Sequence, residues 1–443
     1  MLNRLRRTFA HGIHPPEHKD TADRAIRRFP FAPQLIIPLA QHIGKPARPT
    51  VRPGQEVVRG EPIAAADGFL SVPIHAPATG IVTAIALAED ARGGKGEAIL
   101  LRPYPGDDQR VRYGAPRDLD TLDREALIQA IQDSGMVGLG GAAFPTHAKL
   151  AVPDNFPIDT LIVNGCECEP YLTNDDRVMV EWADDLVRGI TIALRVCGAA
   201  RAVIGIEDNK PRAVESLRRH LRDHAHITVE PVATKYPQGA ERLLIKTMLG
   251  REIPSGARSW DIGVVTQNIA TLAELGQLLP LQRGLIERVI TIGGDVERPG
   301  NYLVPFGTPL RYLLEQAGFR EAAGEIILGG PMMGSTVPSL DIPVTKGVSG
   351  VLALAQDQRL GKARKVYPCI QCGHCLAACP MHLNPSRLGM LAARREYAQM
   401  AQRYHLDDCF ECGCCSYVCP SNNPLVQQFR IAKAFNREQA AAA

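Results

Sequence analysis

Two short cysteine runs carry the plainest chemistry in this chain. The first is Cys369-Ile-Gln-Cys372-Gly-His-Cys375-Leu-Ala-Ala-Cys379-Pro380, and the second is Cys409-Phe-Glu-Cys412-Gly-Cys-Cys415-Ser-Tyr-Val-Cys419-Pro420. Each reads C-x2-C-x2-C-x3-C-P. In that pattern three thiolates wrap one face of an iron-sulfur cubane, while the fourth, beside proline, completes the other cluster of a pair. The spacing therefore predicts one [4Fe-4S] cluster on Cys369, Cys372, Cys375 and Cys419, and a second on Cys409, Cys412, Cys415 and Cys379. Zinc also takes C-x2-C pairs, but it needs neither the third cysteine nor the repeated Cys-Pro. Cys414 reads as a buried spectator thiol, and His374 as a hydrogen-bond donor beside sulfur. Paired low-potential clusters relay single electrons, so the rest of the chain should supply a donor or an acceptor.

The densest glycine cluster is Ser134-Gly135-Met-Val-Gly138-Leu-Gly140-Gly141-Ala-Ala-Phe144-Pro145-Thr146-His147-Ala-Lys149. Its order is G-x2-G-x-G-G and a helical pattern precedes it, so the usual dinucleotide fingerprint fails on both counts. Glycines still let backbone approach a flat or anionic ligand, and a following lysine supplies charge for a phosphate. A plain helix-to-helix turn carries equal weight on the residues alone. A second cluster, Asn164-Gly165-Cys166-Glu167-Cys168-Glu169-Pro170, follows an apolar strand, where open α/β sheets place ligands. Cys166 and Cys168 are too close for a metal site and read as pocket lining.

Something must position these loops. The 443 residues include 50 Lys+Arg against 47 Asp+Glu, a net +3, so no basic field points to nucleic acid. Charged residues at 22% and hydrophobic residues at 45% suit packed globular domains and exclude a disordered chain. No apolar run reaches the roughly 18 residues of a membrane span. The N-terminal arginines lack an apolar segment after them, which predicts no secretory signal and a reducing location. Nine of the 12 cysteines lie between Cys369 and Cys419, which favours metal ligation over disulfides.

The fold class is multidomain α/β. Residues 1–34 form a basic arm without helical or strand period, expected to hug the surface; its His11, His14 and His18 read as solvated or partner-docking. Short apolar runs at 35–38, 56–58, 80–85 and 98–101, punctuated by Pro-Gly, Arg-Gly and Thr-Gly, predict a barrel-sandwich domain over 35–115. It resembles the biotinyl/lipoyl sandwich, but Gly68-Phe69-Leu70-Ser71-Val72 offers no lysine for a swinging arm. Strands at 161–163, 202–206, 227–232 and 263–265 alternate with helices, giving an α/β domain over 116–285. One helix starts on Pro211 and another follows Gln238-Gly239. A further unit spans 286–355, with a helix capped by Thr308, begun by Pro309 and stopped by Gly318. Met332-Met333 reads as core packing or a partner surface. A helical cluster module spans 360–435, with 386–405 read as one helix.

The loops also carry a resemblance. GLGGAAFPTHAKL followed by NGCECEPYLTNDDR is similar to the FMN loops of the NADH-oxidising flavoprotein subunit of respiratory complex I, of the type GRGGAGFPTGLKW and NGDESEPG. YPQGAERLL and TQNIATLAEL follow in that family's order, and residues 295–318 resemble a soluble-ligand-binding β-grasp (SLBB) unit. With a leading sandwich and a closing twin-cluster module, the whole resembles the RnfC family of Rnf electron transport complexes.

That resemblance implies noncovalent FMN, NADH as substrate and two [4Fe-4S] clusters, with no side chain acting as catalyst. By position, Gly138, Gly140, Gly141 and Lys149 would hold the flavin phosphate and ring, and Asn164, Glu167 and Cys168 would lie along the isoalloxazine. Gly239, Glu241, Gln267, Asn268 and Thr271 would close the pocket, with Phe144 and Glu169 on the nicotinamide side. Ala240 stands where the complex I relative has an acidic residue, Cys166 and Cys168 replace Asp and Ser, and no Phe-rich nicotinamide clamp appears around 250–260. The implied activity is that of a peripheral subunit on the cytoplasmic face of the inner membrane, an ion-translocating oxidoreductase of NADH:ferredoxin type. Its partners would be other subunits of a membrane complex, with ferredoxin or flavodoxin as carrier. The alternatives are a flavin/iron-sulfur cobalamin reductase and a flavin-free iron-sulfur relay.

Overall fold

The computed structural model describes residues 7–91, 93–319, 324–354 and 365–442. Residues 1–6 of the arm, with Arg4 and Arg6, lie outside the described residues. The sandwich packs a four-stranded sheet, in the order Leu35–Pro38, Lys95–Pro103, Gly80–Glu89 and Glu56–Val57, on a three-stranded one of Arg48–Pro49, Pro62–Ala65 and Ile74–His75. Leu35 and Ile37 alternate with less buried neighbours, the period of a strand with one face on a core, and meet Ile63, Val82, Ile99 and Leu101 there.

The central domain is a four-stranded parallel sheet in the order Ile227–Val232, Arg201–Glu207, Thr160–Gly165 and Val264–Asn268. Strands covered on both faces read as continuous apolar runs, and Thr160, Leu161, Ile162 and Val163 are all buried. Helix α1 (Arg124–Asp133) leads through the glycine loop to α2 (Thr146–Leu150). Around the sheet lie α3 (Asn174–Glu181), α4 (Ala183–Cys197), α5 (Pro211–His220), α6 (Glu241–Leu249) and α7 (Ile269–Leu278). Helices α4 and α7 approach through two glycines. A Cβ on Gly189 would stand 1.7 Å from the Leu272 carbonyl oxygen, and one on Gly276 would stand 1.9 Å from that of Asp185.

The third unit is a six-stranded sheet in the order Arg27–Arg28, Gly300–Pro305, Glu287–Gly294, Gly350–Leu354, Glu325–Leu328 and Ser335–Thr336. Its helix α8 (Leu310–Ala317) buries Leu310, Leu313, Leu314 and Ala317 and stops at Gly318, where φ is 79°. The expected cap is one residue early. Pro309 is extended and occupies the N-cap, because the Thr308 hydroxyl already donates to the Pro305 carbonyl at 2.8 Å. The arm also departs from expectation. Phe9, Ile13 and Thr21 are buried, and Arg27–Arg28 joins this sheet in parallel with Tyr302 and Leu303.

The cluster module contains α9 (His374–Ala378), α10 (Pro385–Ala393), α11 (Tyr397–Tyr404), α12 (Cys414–Tyr417) and α13 (Leu425–Ala442). The stretch read as one helix is two, broken where Arg395 takes a φ of 59°. The break lets Leu388 and Leu391 of α10 and Met400 of α11 reach one core with Phe429. Among the described residues, no helix is long and apolar enough to cross a membrane.

Two measurements test this packing. Gly189→Ala forces a methyl against a main-chain carbonyl, and chemical denaturation should show a loss of about 3 kcal/mol, the upper range for overpacking. Glu274 of α7 is buried, and that burial, with Glu287 adding, pushes its carboxyl up to about 8. A raised carboxyl favours the fold below the unfolded value near 4.5, and the advantage is lost as pH rises through about 8. Glu274→Gln should therefore stabilise the chain by about 3 kcal/mol at pH 8 and by little at pH 5.

Candidate functional site

The glycine loop is closed by its own backbone. The Gly138 amide donates to the Phe144 carbonyl at 2.8 Å, and the Ala143 amide to the Gly138 carbonyl at 3.1 Å. From beneath, the Thr271 hydroxyl accepts the Leu139 amide at 2.9 Å, and the Arg288 guanidinium donates to the Leu139 carbonyl at 2.8 Å and the Lys346 carbonyl at 2.6 Å. The Lys346 ammonium in turn spans the sandwich and this domain, donating to Pro73 and Gly135 carbonyls at 3.1 and 2.7 Å. Burial lowers Lys346 to about 7. The tip stays open: Gly140 and Gly141 are exposed, and no atom lies within 4 Å of a Cβ built on Gly141, where φ is 103°. Phe144 is half-buried beside them.

The second loop leaves the C-terminal end of strand Thr160–Gly165, at the sheet end where α/β proteins bind ligands. Asn164 pins two segments, donating through Nδ2 to the Gly239 carbonyl at 2.8 Å and accepting the Cys166 amide at 3.1 Å. Gly239 permits this approach, since a Cβ there would stand 2.5 Å from the Cys166 carbonyl oxygen. Its amide donates to the Cys168 sulfur at 3.5 Å, and the Cys166 thiol donates to the Gly205 carbonyl. Asn268 caps α7 through the Thr271 amide, donates to Asp175 at 2.6 Å and stands beside Gly140.

Charges around these loops are closely balanced. The Glu167 carboxylate accepts the Asp175 and Asp176 amides at 2.8 and 3.3 Å, the first turn of α3. Burial pushes Glu167 up to about 7, and Lys19 opposes that rise. Glu241 feels burial upward, but Lys149 at 3.4 Å and the Thr266 hydroxyl bring it below the ordinary carboxylate value. Gln267 is buried with its Nε2 lacking a hydrogen-bond partner. An open glycine tip, a lysine on the helix that follows the loop and an unpartnered amide at the sheet end fit a planar group bearing polar edges and a phosphate.

Glu169 has partners far along the chain. Its carboxylate accepts the Met332 and Met333 amides at 2.9 and 2.8 Å, and burial raises it to about 7. These bonds tie it to the turn of the third unit.

The thiols gather across the two runs. Burial raises Cys375, and the thiols bearing on it are Cys419, Cys369 and Cys372. Burial likewise raises Cys415, with Cys412, Cys409 and Cys379 bearing on it. One pocket is lined by Cys379, Cys409, Cys412 and Cys415 together with apolar Leu388, Val426 and Phe429. Four sulfurs around an apolar cavity suit a cubane. The other group is open to solvent, with Cys369 and Cys372 exposed.

One contact joins the loops to this cavity. The buried Tyr236, three residues before Gly239, donates its hydroxyl to the Cys412 carbonyl at 2.7 Å. Ile13, Ala378, Cys414, Cys168, Met332 and Val418 pack with it in one apolar cluster. Cys414 is thus a buried packing thiol, and Met332 is core while Met333 is exposed. Sequence reasoning missed Arg288, Lys346 and Lys19, whose partners are distant in the chain, and left Tyr236 of the YPQGAERLL string unassigned. Asp175 was visible within the NDDR string of the second loop but unassigned.

Comparison with known proteins agrees with this architecture. Residues 7–104 match the RnfC barrel sandwich hybrid domain, 131–277 the Nuo51 FMN-binding domain, 289–336 the SLBB domain and 365–433 a 4Fe-4S dicluster domain. The chain is 42% identical to the C subunit of the proton-translocating ferredoxin:NAD(+) oxidoreductase complex of Clostridium ljungdahlii, over 97% of this chain and 94% of that protein. It is 42% identical to the C subunit of the ion-translocating oxidoreductase complex of Yersinia pestis, over 96% of this chain and 69% of that protein. The C subunit of the Na(+)-translocating ferredoxin:NAD(+) oxidoreductase complex of Acetobacterium woodii is 38% identical over 91% of this chain and 89% of its own. A chain of an NAD+-reducing [NiFe]-hydrogenase shares the fold with a TM-score of 0.50 at 20% identity, covering 74% of this chain and 69% of that one. With near full-length identity above 40% and four domains in register, the chain belongs to the family of C subunits of ion-translocating oxidoreductase complexes.

Proposed function

We propose that this chain is the peripheral subunit of a membrane complex, on its cytoplasmic face, that passes electrons between NADH, FMN and two [4Fe-4S] clusters in a reaction coupled to ion translocation. Ferredoxin is the proposed redox partner at the other end of the complex, as the names of the relatives from Clostridium ljungdahlii and Acetobacterium woodii indicate. The same relatives favour this reading over a cobalamin reductase. FMN, when bound, converts between a two-electron hydride donor and one-electron carriers.

The chain's own residues would do the holding. Gly138, Gly140 and Gly141 offer a tip without side chains, and Lys149, tethered to Glu241, supplies the cation for a phosphate. Asn164, Cys168, Gly239 and Gln267 form the sheet-end wall, while Asn268 and Thr271 hold the glycine loop against it. Glu167 acts through loop shape, since its carboxylate is spent on α3. Cys369, Cys372, Cys375 and Cys419 would ligate one cluster, and Cys379, Cys409, Cys412 and Cys415 the other.

The observation that carries the reading is the shared apolar contact of Cys168, Tyr236 and Cys412. It supports an order in which the cluster on Cys379, Cys409, Cys412 and Cys415 is the one nearest the flavin and the exposed cluster is the outer one.

Acid extraction of the reconstituted full chain should release FMN, and NADH should bleach the iron-sulfur absorbance. Release of no flavin together with no bleaching would make the chain a flavin-free relay. Cys379→Ser should slow bleaching of the remaining cluster at least about tenfold, roughly 1.4 kcal/mol of barrier. Cys419→Ser should leave the inner cluster bleaching at the parent rate. Equal rates in the two variants would contradict the order. Cys414→Ser should keep both clusters.

A further inference from the structure

The N-terminal arm touches the second loop, the segment that bears Tyr236 and the cluster module. The Ala233 amide donates to the Arg7 carbonyl, and Ile13 and Tyr236 exchange backbone hydrogen bonds at 2.9 and 3.0 Å. The Gly12 amide donates to the Ala378 carbonyl at 3.2 Å, next to Cys379. His11 contacts the Ala377 carbonyl and His382, so this histidine docks on the cluster module. His18 stacks on Tyr171 at 4.6 Å, and the Tyr171 amide donates to the Glu17 carbonyl. The Thr21 hydroxyl pairs with that of Thr173, and Arg27–Arg28 enters the third unit's sheet.

Along this arm the Lys19 ammonium donates to three main-chain carbonyls, those of Glu167 at 2.7 Å, Glu169 at 2.8 Å and Leu172 at 2.6 Å. An ammonium has three protons, and all three are used on one turn. Charged donors to carbonyl oxygens are among the stronger hydrogen bonds of a protein. The turn they bend presents the Glu167 carboxylate to α3 and the Glu169 carboxylate to Met332 and Met333, while Cys168 faces the Gly239 amide. No other side-chain cation holds these three carbonyls among the described residues.

We infer that Lys19 is a positioning residue for the flavin: its ammonium shapes the 167–172 turn and supplies the positive charge behind it, so that flavin retention and potential depend on the N-terminal arm. The inference rests on the flavin reading of these loops. It requires no contact between Lys19 and the cofactor. A cation behind the loop favours the more negative, reduced flavin. Removing it therefore lowers the midpoint potential as well as loosening the site.

The test uses the full-length chain reconstituted with FMN and clusters, comparing Lys19→Met, Lys19→Gln and Lys19→Arg with the parent. Lys19→Met should bind FMN at least tenfold more weakly and show a more negative flavin midpoint, with the iron-sulfur paramagnetic signals per chain unchanged. Lys19→Arg, which keeps charge and donors, should recover most of both losses, and a tie that was structural alone would move affinity without moving the potential. If Lys19→Met fails to assemble its clusters, Lys19→Gln decides, and it should show the same two changes. Parental affinity and potential in the assembled Met or Gln variant would overturn the inference. A parent that retains no FMN would instead remove the flavin reading on which it rests.

Discussion

Tyr236 meets Cys412 in a small apolar contact that ties the arm, the central domain, the third unit and the cluster module together. Its hydroxyl is satisfied by a main-chain carbonyl of the cysteine run, and its ring is buried among Ile13, Ala378, Cys168, Cys414 and Met332. Five segments meet there: the arm, the loops bearing Cys168 and Tyr236, the turn after strand Glu325–Leu328, and the cluster module. A buried tyrosine needs a partner for its hydroxyl, and supplying it from Cys412 places the thiol cavity beside the sheet end. Electron relay between a sheet-end ligand and a cubane needs such proximity.

Around that contact the chain buries charge and offsets it locally. Lys210 and Glu207 form a buried pair at 2.7 Å, Arg288 is buried against two carbonyls near Asp175, and Lys346 bridges domains through carbonyls alone. Lone buried charges are costly, so each is tied to main-chain oxygen or to an opposite charge. The outcome is a rigid base under a glycine loop whose tip remains open. Rigid support beneath an accessible backbone is what a site for a planar phosphate-bearing cofactor requires.

Features set by local covalent spacing were legible in the amino-acid sequence. The repeated C-x2-C-x2-C-x3-C-P spacing was plain in the chain, and the thiols that bear on Cys375 include Cys419 while those that bear on Cys415 include Cys379. The sandwich strand at Leu35–Pro38 and the four parallel strands followed from apolar pattern and turn residues. Distant pairing was not legible. Nothing near Lys19 signals that its ammonium ends on residues about 150 positions away, and Arg288 gives no hint that it supports Leu139. The partners of Glu169 were not legible either, because a motif fixes its place in the loop but not the turn at Met332 that meets its carboxylate. The break at Arg395 escaped because arginine and its neighbours all favour helix, and packing against Phe429 outweighs that preference.

Two cubanes held side by side on eight thiols of one chain, with one of them against the flavin loops, would couple magnetically once both are reduced. Low-temperature paramagnetic resonance of the dithionite-reduced full chain, with iron and zinc counted per chain, is the decisive measurement. About eight iron atoms and two magnetically interacting cluster signals are expected. A single isolated signal with half that iron, or zinc in place of iron, would contradict the twin-cluster reading.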